Sequence, residues 1–287
     1  MRHTALHRGC RRCLLAALVL TSTAAFADNT DMNVSPALDR VSLWLGAYAA
    51  DTSTTVSAGL NNPDVKGKLN LQHDLGFPSS QTVPHARFDF LLGESQGFSF
   101  DYYRIDQART KSLDTAIGFN GDTFNAAASV TGRVNFQFGD AAYRWWFGHS
   151  NDVFGVGIGA AYYRVYAGIS GQASVSIPTV GFSSTAYAAT HTTASAWAPE
   201  LQLGWRHAFS NNLRMYINAS GVKKNGNHLG GHIYNGALGL EWFPWQNLGF
   251  AAEYDYTRID VHQGHPAYND TLAMRMNGPS VFLRLRF

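Results

Sequence analysis

The fold class this 287-residue sequence predicts is all-β: a transmembrane, antiparallel, up-and-down β-barrel. Three observations carry that reading. Apolar and polar residues alternate with a period of two through ten segments, aromatic residues crowd beside short polar turns, and long and short connections alternate along the chain. The composition agrees. Charged residues make up 15% and aromatics 13%, with 28 glycines, whereas a soluble domain carries charge near ~25%. Collagen, coiled coil, disulfide scaffold and disordered tail are excluded, because the chain has no matching repeat, cysteine density or charge excess. No Lys/Arg run follows the N-terminal region, so nucleic acid is not an expected partner.

Residues 1–27 read as a signal peptide. Arg2, Arg8, Arg11 and Arg12 form a basic start, Leu14 to Leu20 an apolar stretch, and Ala25-Phe26-Ala27 a cleavage site before Asp28. The apolar stretch is too short for a spanning helix, which needs ~20 residues. Removing the segment takes four of the 22 basic residues and none of the 20 acidic ones, so the mature charge becomes −2. Cys10 and Cys13 leave with it, and the mature chain can form neither a disulfide nor a thiolate metal site. Residues 28–39 are expected as a periplasmic lead-in and 40–287 as the barrel.

Alternation then marks the strands in order. Val41, Leu43, Leu45 and Ala47 open the series, followed by Ala86, Phe88, Phe90 and Leu92, then Phe98, Phe100 and Tyr102. Val134, Phe136 and Phe138 come next, then Phe154, Val156, Ile158, Ala160 and Tyr162, then Leu201, Leu203 and Trp205. The last four are Leu213, Met215 and Ile217; Tyr234, Leu238, Leu240 and Trp242; Phe250, Ala252, Tyr254 and Tyr256; and Val281, Leu283, Leu285 and Phe287. About ten strands are predicted, with eight or twelve as alternatives. Each segment suits the ~10 residues a tilted strand needs to cross the hydrocarbon. Tyr143, Trp145, Phe147, Trp205, Phe209, Trp242, Phe243 and Trp245 form an interfacial girdle on this reading.

The turns at 94–96, 148–151, 210–212 and 244–247 are short, and the links 50–82, 108–130, 170–194, 223–231 and 263–270 are longer. Short turns belong to the periplasmic side and long links to the outside, which puts both termini in the periplasm. Phe119-Asn120-Gly121-Asp122 is a hairpin signal within one long link, and the strands flanking that link are expected to extend above the membrane. Val65 to His73 is read as a short return strand outside the membrane, or as part of further spanning strands.

The ending Phe282-Leu283-Arg284-Leu285-Arg286-Phe287, with apolar residues at alternate positions before a terminal Phe, resembles the last strand of Gram-negative outer-membrane β-barrel proteins. In that class it is read by the barrel-assembly machinery, so the resemblance makes Leu283, Leu285 and Phe287 an assembly signal. It also makes that machinery, periplasmic chaperones and outer-membrane lipid or lipopolysaccharide the expected partners. Leu69 to Phe77, containing His73-Asp74-Leu75-Gly76-Phe77, and Asn277 to Phe287 further resemble a large family of proteobacterial outer-membrane proteins. That resemblance spans most of the mature chain and implies no chemistry.

With apolar positions facing lipid, the opposite phase points Arg87, Asp89, Asp101, Arg144, Glu200, Arg206, Arg214, Glu241, Glu253, Asp255, Arg284 and Arg286 into the lumen. Six positive and six negative charges compensate one another, which reads as internal bracing, whereas an ion-selective pore would show a ring of one sign. Gly155, Gly157, Gly159, Gly204 and Gly239 share the inward phase and either receive bulky neighbours such as Trp146 and Phe243 or leave a narrow cavity.

Histidines are the chemically suggestive set. His228, His232, His262 and His265 lie in adjacent outer links, and neutral imidazoles there are a candidate Zn, Cu or Ni site, though their spacing fits no zinc motif. Asp260 with His262, and Asp270 nearby, offer a rim site for a hydrolase or acyltransferase. The glycines from 155 to 159 lack a following helix and do not suit a nucleotide. Ser170 to Ala194, with Ile177, Val180, Phe182 and Tyr187, is a candidate partner-binding or gating hairpin, or else a mobile loop. The preferred expectation is a non-enzymatic, monomeric outer-membrane barrel without a cofactor. It is either a narrow passive channel for small solutes, hydrophobic ones included, or a structural surface protein. The alternatives are a rim enzyme and a loop-borne metal or ligand binder.

Overall fold

The structure, a computed structural model, describes residues 34–60, 66–114, 117–119, 122–124, 129–148, 150–177, 182–225, 229–264 and 268–287. The expected signal peptide and the first part of the expected lead-in lie outside the described residues. Thirteen strands and one helical turn follow in order: β1 (Val41–Leu60), β2 (Lys66–Asn70), α1 (Leu71–Asp74), β3 (Ser80–Leu92), β4 (Gln96–Ser112), β5 (Ile117–Phe119) and β6 (Asp122–Phe124). Then come β7 (Ser129–Phe147), β8 (Asp152–Ile177), β9 (Phe182–Ala208), β10 (Leu213–Lys224), β11 (Leu229–Trp242), β12 (Leu248–Gly264) and β13 (Tyr268–Arg286).

Ten long strands close the barrel in the order β8-β7-β4-β3-β1-β13-β12-β11-β10-β9, and β9 returns to β8. All pair antiparallel with their sequence neighbours, and β1 meets β13 at the seam. There the terminal residue closes the ladder: Phe287 N–H donates to the Val41 carbonyl at 2.9 Å, and Val41 N–H donates to the Phe287 carbonyl at 3.1 Å. Closure removes every sheet edge, which lipid cannot satisfy. The four short turns fall at one end. Gly93 (φ +66°) and Gly148 (φ +113°) sit in two of them in a left-handed conformation that favours glycine.

The three short strands lie at the opposite end. β2 pairs with β1, and β5 pairs with β6 across the expected hairpin, with Phe119 opposite Asp122. Within the expected Val65 to His73 segment, the described residues 66–73 are thus a return strand running into α1, and Val65 lies outside the described residues. The links are shorter than the sequence reading placed them, because strands continue into them. β8 and β9 pair as far as Ile177 opposite Phe182, so 170–194 is mostly ladder, and its tip at 178–181 lies outside the described residues.

One expectation is corrected. Val134, Phe136 and Phe138 share the phase of Arg144, and all three are buried inside the barrel instead of facing lipid. The same holds for Ile105, Val165, Ile169, Val222, Ile233, Ile259, Leu272, Met274 and Met276, which form one interior apolar cluster. Outside them stand exposed polar groups such as Arg104, Asp106 and Arg133. Lower down the arrangement is inverse: Phe100, Phe154, Val156, Ile158, Leu201, Leu203 and Val281 are exposed, and charged residues fill the interior. The strands outrun the lipid. Where water replaces hydrocarbon outside the wall, the apolar side must turn inward, as in a soluble domain.

Phe243 is a second correction. It turns inward from the girdle and is fully buried, while Phe147, Phe209, Trp242 and Trp245 stay exposed.

Because the upper core is packed against water, Phe136→Ala should cost about 3–5 kcal/mol, the usual range for a buried phenylalanine. The lipid-facing Phe100→Ala should cost much less. Urea unfolding of the two variants in lipid vesicles measures the difference, and equal effects would contradict the inversion.

Candidate functional site

The interior is layered from the short-turn end upward. In the lowest layer, residues 34–39 tuck into the barrel mouth, with Ala37 and Leu38 packed among Leu91, Trp146, Val153 and Ala208. They carry Asp39 under the arginines of β10 and β13. Arg214 Nη1 reaches both Asp39 carboxylate oxygens at 2.9 Å, and Arg284 Nη2 donates to Oδ2 at 2.7 Å. Glu241 lies against Arg284 from β11, and Arg286 stands 3.9 Å from Asp39. Arg284 is fully buried, with its guanidinium 4.0 Å from the Trp44 ring centre, and Arg286 lies 3.7 Å from that of Phe243. Burial pushes the Asp39 carboxyl up, but Arg284, Arg214 and Arg286 outweigh that and hold it below its ordinary 3.8.

The middle layer is a second polar network. Arg206 pairs with Asp89 at 3.5 Å, and the Ser42 hydroxyl donates to Asp89 while accepting from Trp44 Nε1. Arg144 donates to Gln202 Oε1 at 2.7 Å, and Gln202 Nε2 donates to Asp140 at 3.3 Å. Arg87 spans two partners: its Nε donates to Asp101 at 2.8 Å and its Nη1 to Glu253 at 2.7 Å. The Tyr216 hydroxyl donates to the same Glu253 oxygen at 2.6 Å, His85 Nε2 lies 2.6 Å from Asp101, and Ser280 donates to Asp255. Glu200 is buried opposite Gly159 and Val222. All twelve residues assigned to the lumen from the alternation point inward.

The sequence reading missed the uncharged partners Ser42, Trp44, Gln202, Tyr216 and Ser280, together with Asp140, His85 and Asp39. Asp140 shares the inward phase of Arg144 and was legible by parity. His85 shares the phase of Arg87. Asp39 precedes the first strand, so no alternation could place it.

A chamber of about 80 Å³ separates this network from the apolar core above, lined by Tyr48, His85, Asp101, Asn218, Asn235 and Asp255 among others. The Tyr48 hydroxyl and His85 Nδ1 are buried there without a partner among the described residues, which suits the chamber to hold water. His85, Glu253 and Asp255 each bring one potential metal-ligand atom within 4.8 Å of the others. Arg87 already supplies a cation to both carboxylates, at 2.7 and 3.7 Å. Of the inward glycines, Gly155, Gly204 and Gly239 receive bulky rings, whereas Gly157 faces Arg144 and Gln202 and Gly159 the backbone of β7. A Cβ on Gly155 would stand 2.8 Å from Trp146, and Gly204 faces the same indole.

At the upper end, Leu71, Leu75 and Phe77 are buried in the apolar core, delivered by α1 and the turn after it. Asn70 caps that turn by accepting from the His73 N–H, and Asp74 accepts from the Asn70 N–H at 2.7 Å. The His73–Phe77 segment is thus an apolar stopper, with His73 and Gly76 facing outward.

His228 and His265 lie outside the described residues. His232 and His262 stand on the outer surface of neighbouring strands, and Asp260 engages His232 at 3.1 Å and Arg258 at 2.7 Å.

No protein-family model matches the sequence, and no curated protein matches it. Solved structures do. The outer membrane protease OmpT from Escherichia coli superposes with a TM-score of 0.53 at 10% identity, covering 86% of this chain and 96% of that one. The chain has the Gram-negative outer-membrane β-barrel fold. OprG from Pseudomonas aeruginosa and the toluene transporter TodX from Pseudomonas putida give TM-scores of 0.37 and 0.36 at 7% and 10% identity. The alignments cover 88% and 91% of this chain, and 100% and 95% of those.

Asp39→Asn leaves buried guanidiniums short of a counter-charge and should destabilise the barrel by about 3–5 kcal/mol. Since Asp39 is held below 3.8 in the folded chain, its contribution is complete above that value. It is lost as pH falls through the lowered folded value. Unfolding from pH 7 to 2 should therefore show an acid-side loss that is smaller in Asp39→Asn, and parallel curves for the two proteins would refute this role.

Proposed function

We propose that this protein is a non-enzymatic structural barrel of the outer membrane, with its lumen sealed and its outer half displayed above the lipid. The observation that carries the reading is the filling of the interior at two separate levels. Residues 34–39 and the Asp39–Arg214–Arg284 cluster occupy the lower mouth, and Leu71, Leu75 and Phe77 enter the upper one. Small barrels are filled by side chains, and here segments from outside the wall add to that filling.

Charge supports the same reading. Acids and arginines alternate through the network instead of forming a ring of one sign, and the arginines are engaged by carboxylates, amides and rings. Such pairing braces a wall and leaves little mobile charge to pass an ion along. The rim groups considered for catalysis support a structural role too: Asp260 is shared between His232 and Arg258 on an exposed sheet surface, outside any cleft that would exclude water.

Planar-bilayer recording tests the proposal. The folded protein, verified by heat-modifiable gel mobility, should show no discrete openings. Leu75→Asp and Phe77→Asp, combined with deletion of 34–39, should raise conductance in protein that keeps the folded mobility. Regular openings in the unaltered protein would overturn the reading in favour of a narrow channel.

A further inference from the structure

The outer wall carries a feature that the sealed lumen does not explain. Across β4, β7, β8 and β9, one register row places Tyr102, Gly139, Tyr162 and Trp197 side by side. The next row up, two residues or about 7 Å further along the strands, places Arg104, Gln137, Arg164 and Ser195 side by side. All eight lie on the outer face. This is the height at which the interior changes from charged to apolar, with Tyr103, Phe138 and Tyr163 buried behind the row. The aromatic row is therefore the upper edge of the lipid belt, and the arginine row is the first in water.

Glycine interrupts the aromatic row. With no side chain at Gly139 and only a methyl at Ala141, an apolar groove of about 410 Å³ opens between Phe100 and Tyr102 on one side and Tyr162 and Trp197 on the other. Trp197 and Tyr162 pack ring to ring at 5.2 Å and form one bank. Glycine inside a strand weakens it and often marks a close approach by another group. A Cβ on Gly139 would meet Tyr102 at an ordinary 3.4 Å, so the backbone does not demand glycine there. The gap is an outward-facing slot for something slender and apolar.

The charges above it suit an anion. Arg104 and Arg133 share the single carboxylate of Asp106, at 3.1 and 3.2 Å. Arg164 is exposed and has no carboxylate partner among the described residues. Arg104 and Arg164 are two strands apart, about 10 Å, so their long side chains can converge on one headgroup. The opposite face supplies a contrast. Arg258 and Arg275 are also neighbours at the rim, but Arg258 is held by Asp260 at 2.7 Å, and the row beneath, Gly236, Tyr256, Asn277 and Asp51, breaks the aromatic edge with two polar residues.

We propose that this face holds one molecule of lipid A, the phosphorylated and acylated anchor of lipopolysaccharide, with an acyl chain in the Gly139 groove and a phosphate on Arg164 and Arg104. The groove opens on the lipid of the leaflet beneath the protruding half of the barrel, where this amphiphile meets it in the required orientation. The site is independent of whether the lumen conducts.

The test is native mass spectrometry of the full protein extracted from outer membranes in mild detergent, followed by titration with lipid A and, separately, phosphatidylglycerol. The unaltered protein should retain one lipid A and prefer it to phosphatidylglycerol. Gly139→Phe, which fills the groove, and Arg104→Gln with Arg164→Gln should each reduce retention at least tenfold. Arg258→Gln with Arg275→Gln should leave it unchanged. Heat-modifiable mobility reports folding, and the arginine variant, altered only at exposed side chains, keeps the test decisive if Gly139→Phe does not fold. Equal retention of phosphatidylglycerol, undiminished lipid A in folded variants, or an equal loss in the opposite-face control would each overturn the assignment.

Discussion

A single wall of strands has lipid outside its lower half and water outside its upper half, and that constraint governs the rest of the structure. A β-strand sends alternate side chains to opposite faces whatever surrounds it. When the outer medium changes, the phase that must be apolar changes with it. On β7, Trp145 lies on the outer face near the lower rim, whereas Phe136 and Phe138, of the opposite parity, are buried near the upper end. Below the change the inside is polar and must neutralise itself; above it the inside is a packed apolar core.

The lower interior meets that demand by pairing. Removing a charge from water is costly unless a partner and hydrogen bonds compensate, and burial of this depth leaves little room for an unmatched group. Arg284 illustrates the solution: it is fully buried, with Asp39 and Glu241 on its edge and Trp44 against its face. Asp39 is the member supplied from outside the wall, so the residues before the first strand are part of the lower network. The upper half uses the same device in apolar form, since Leu71, Leu75 and Phe77 enter the core from a connection.

The exterior follows from the same change of medium. Apolar residues cover the lower wall, an aromatic row ends it, and arginines begin immediately above. Gly139 interrupts that row on the β4–β9 face, and the groove it leaves between Tyr102 and Tyr162 is the place for the proposed guest.

Alternation, turn spacing and the terminal Phe were sufficient to read the barrel, the ten strands and the inward parity of twelve charged residues, because each is a local property of one strand. Parity alone could also have revealed Asp140 and His85. The height at which apolar residues turn inward was not legible, since Val134, Phe136 and Phe138 alternate identically whether lipid or water lies outside. The role of Asp39, the stopper formed by Leu71 to Phe77, and the rows that bring Arg104 to Arg164 depend on register between strands distant in sequence. Period and composition determined the architecture; only closure of the sheet decided which side chains meet, because hydrogen-bond register couples residues that the chain itself keeps far apart.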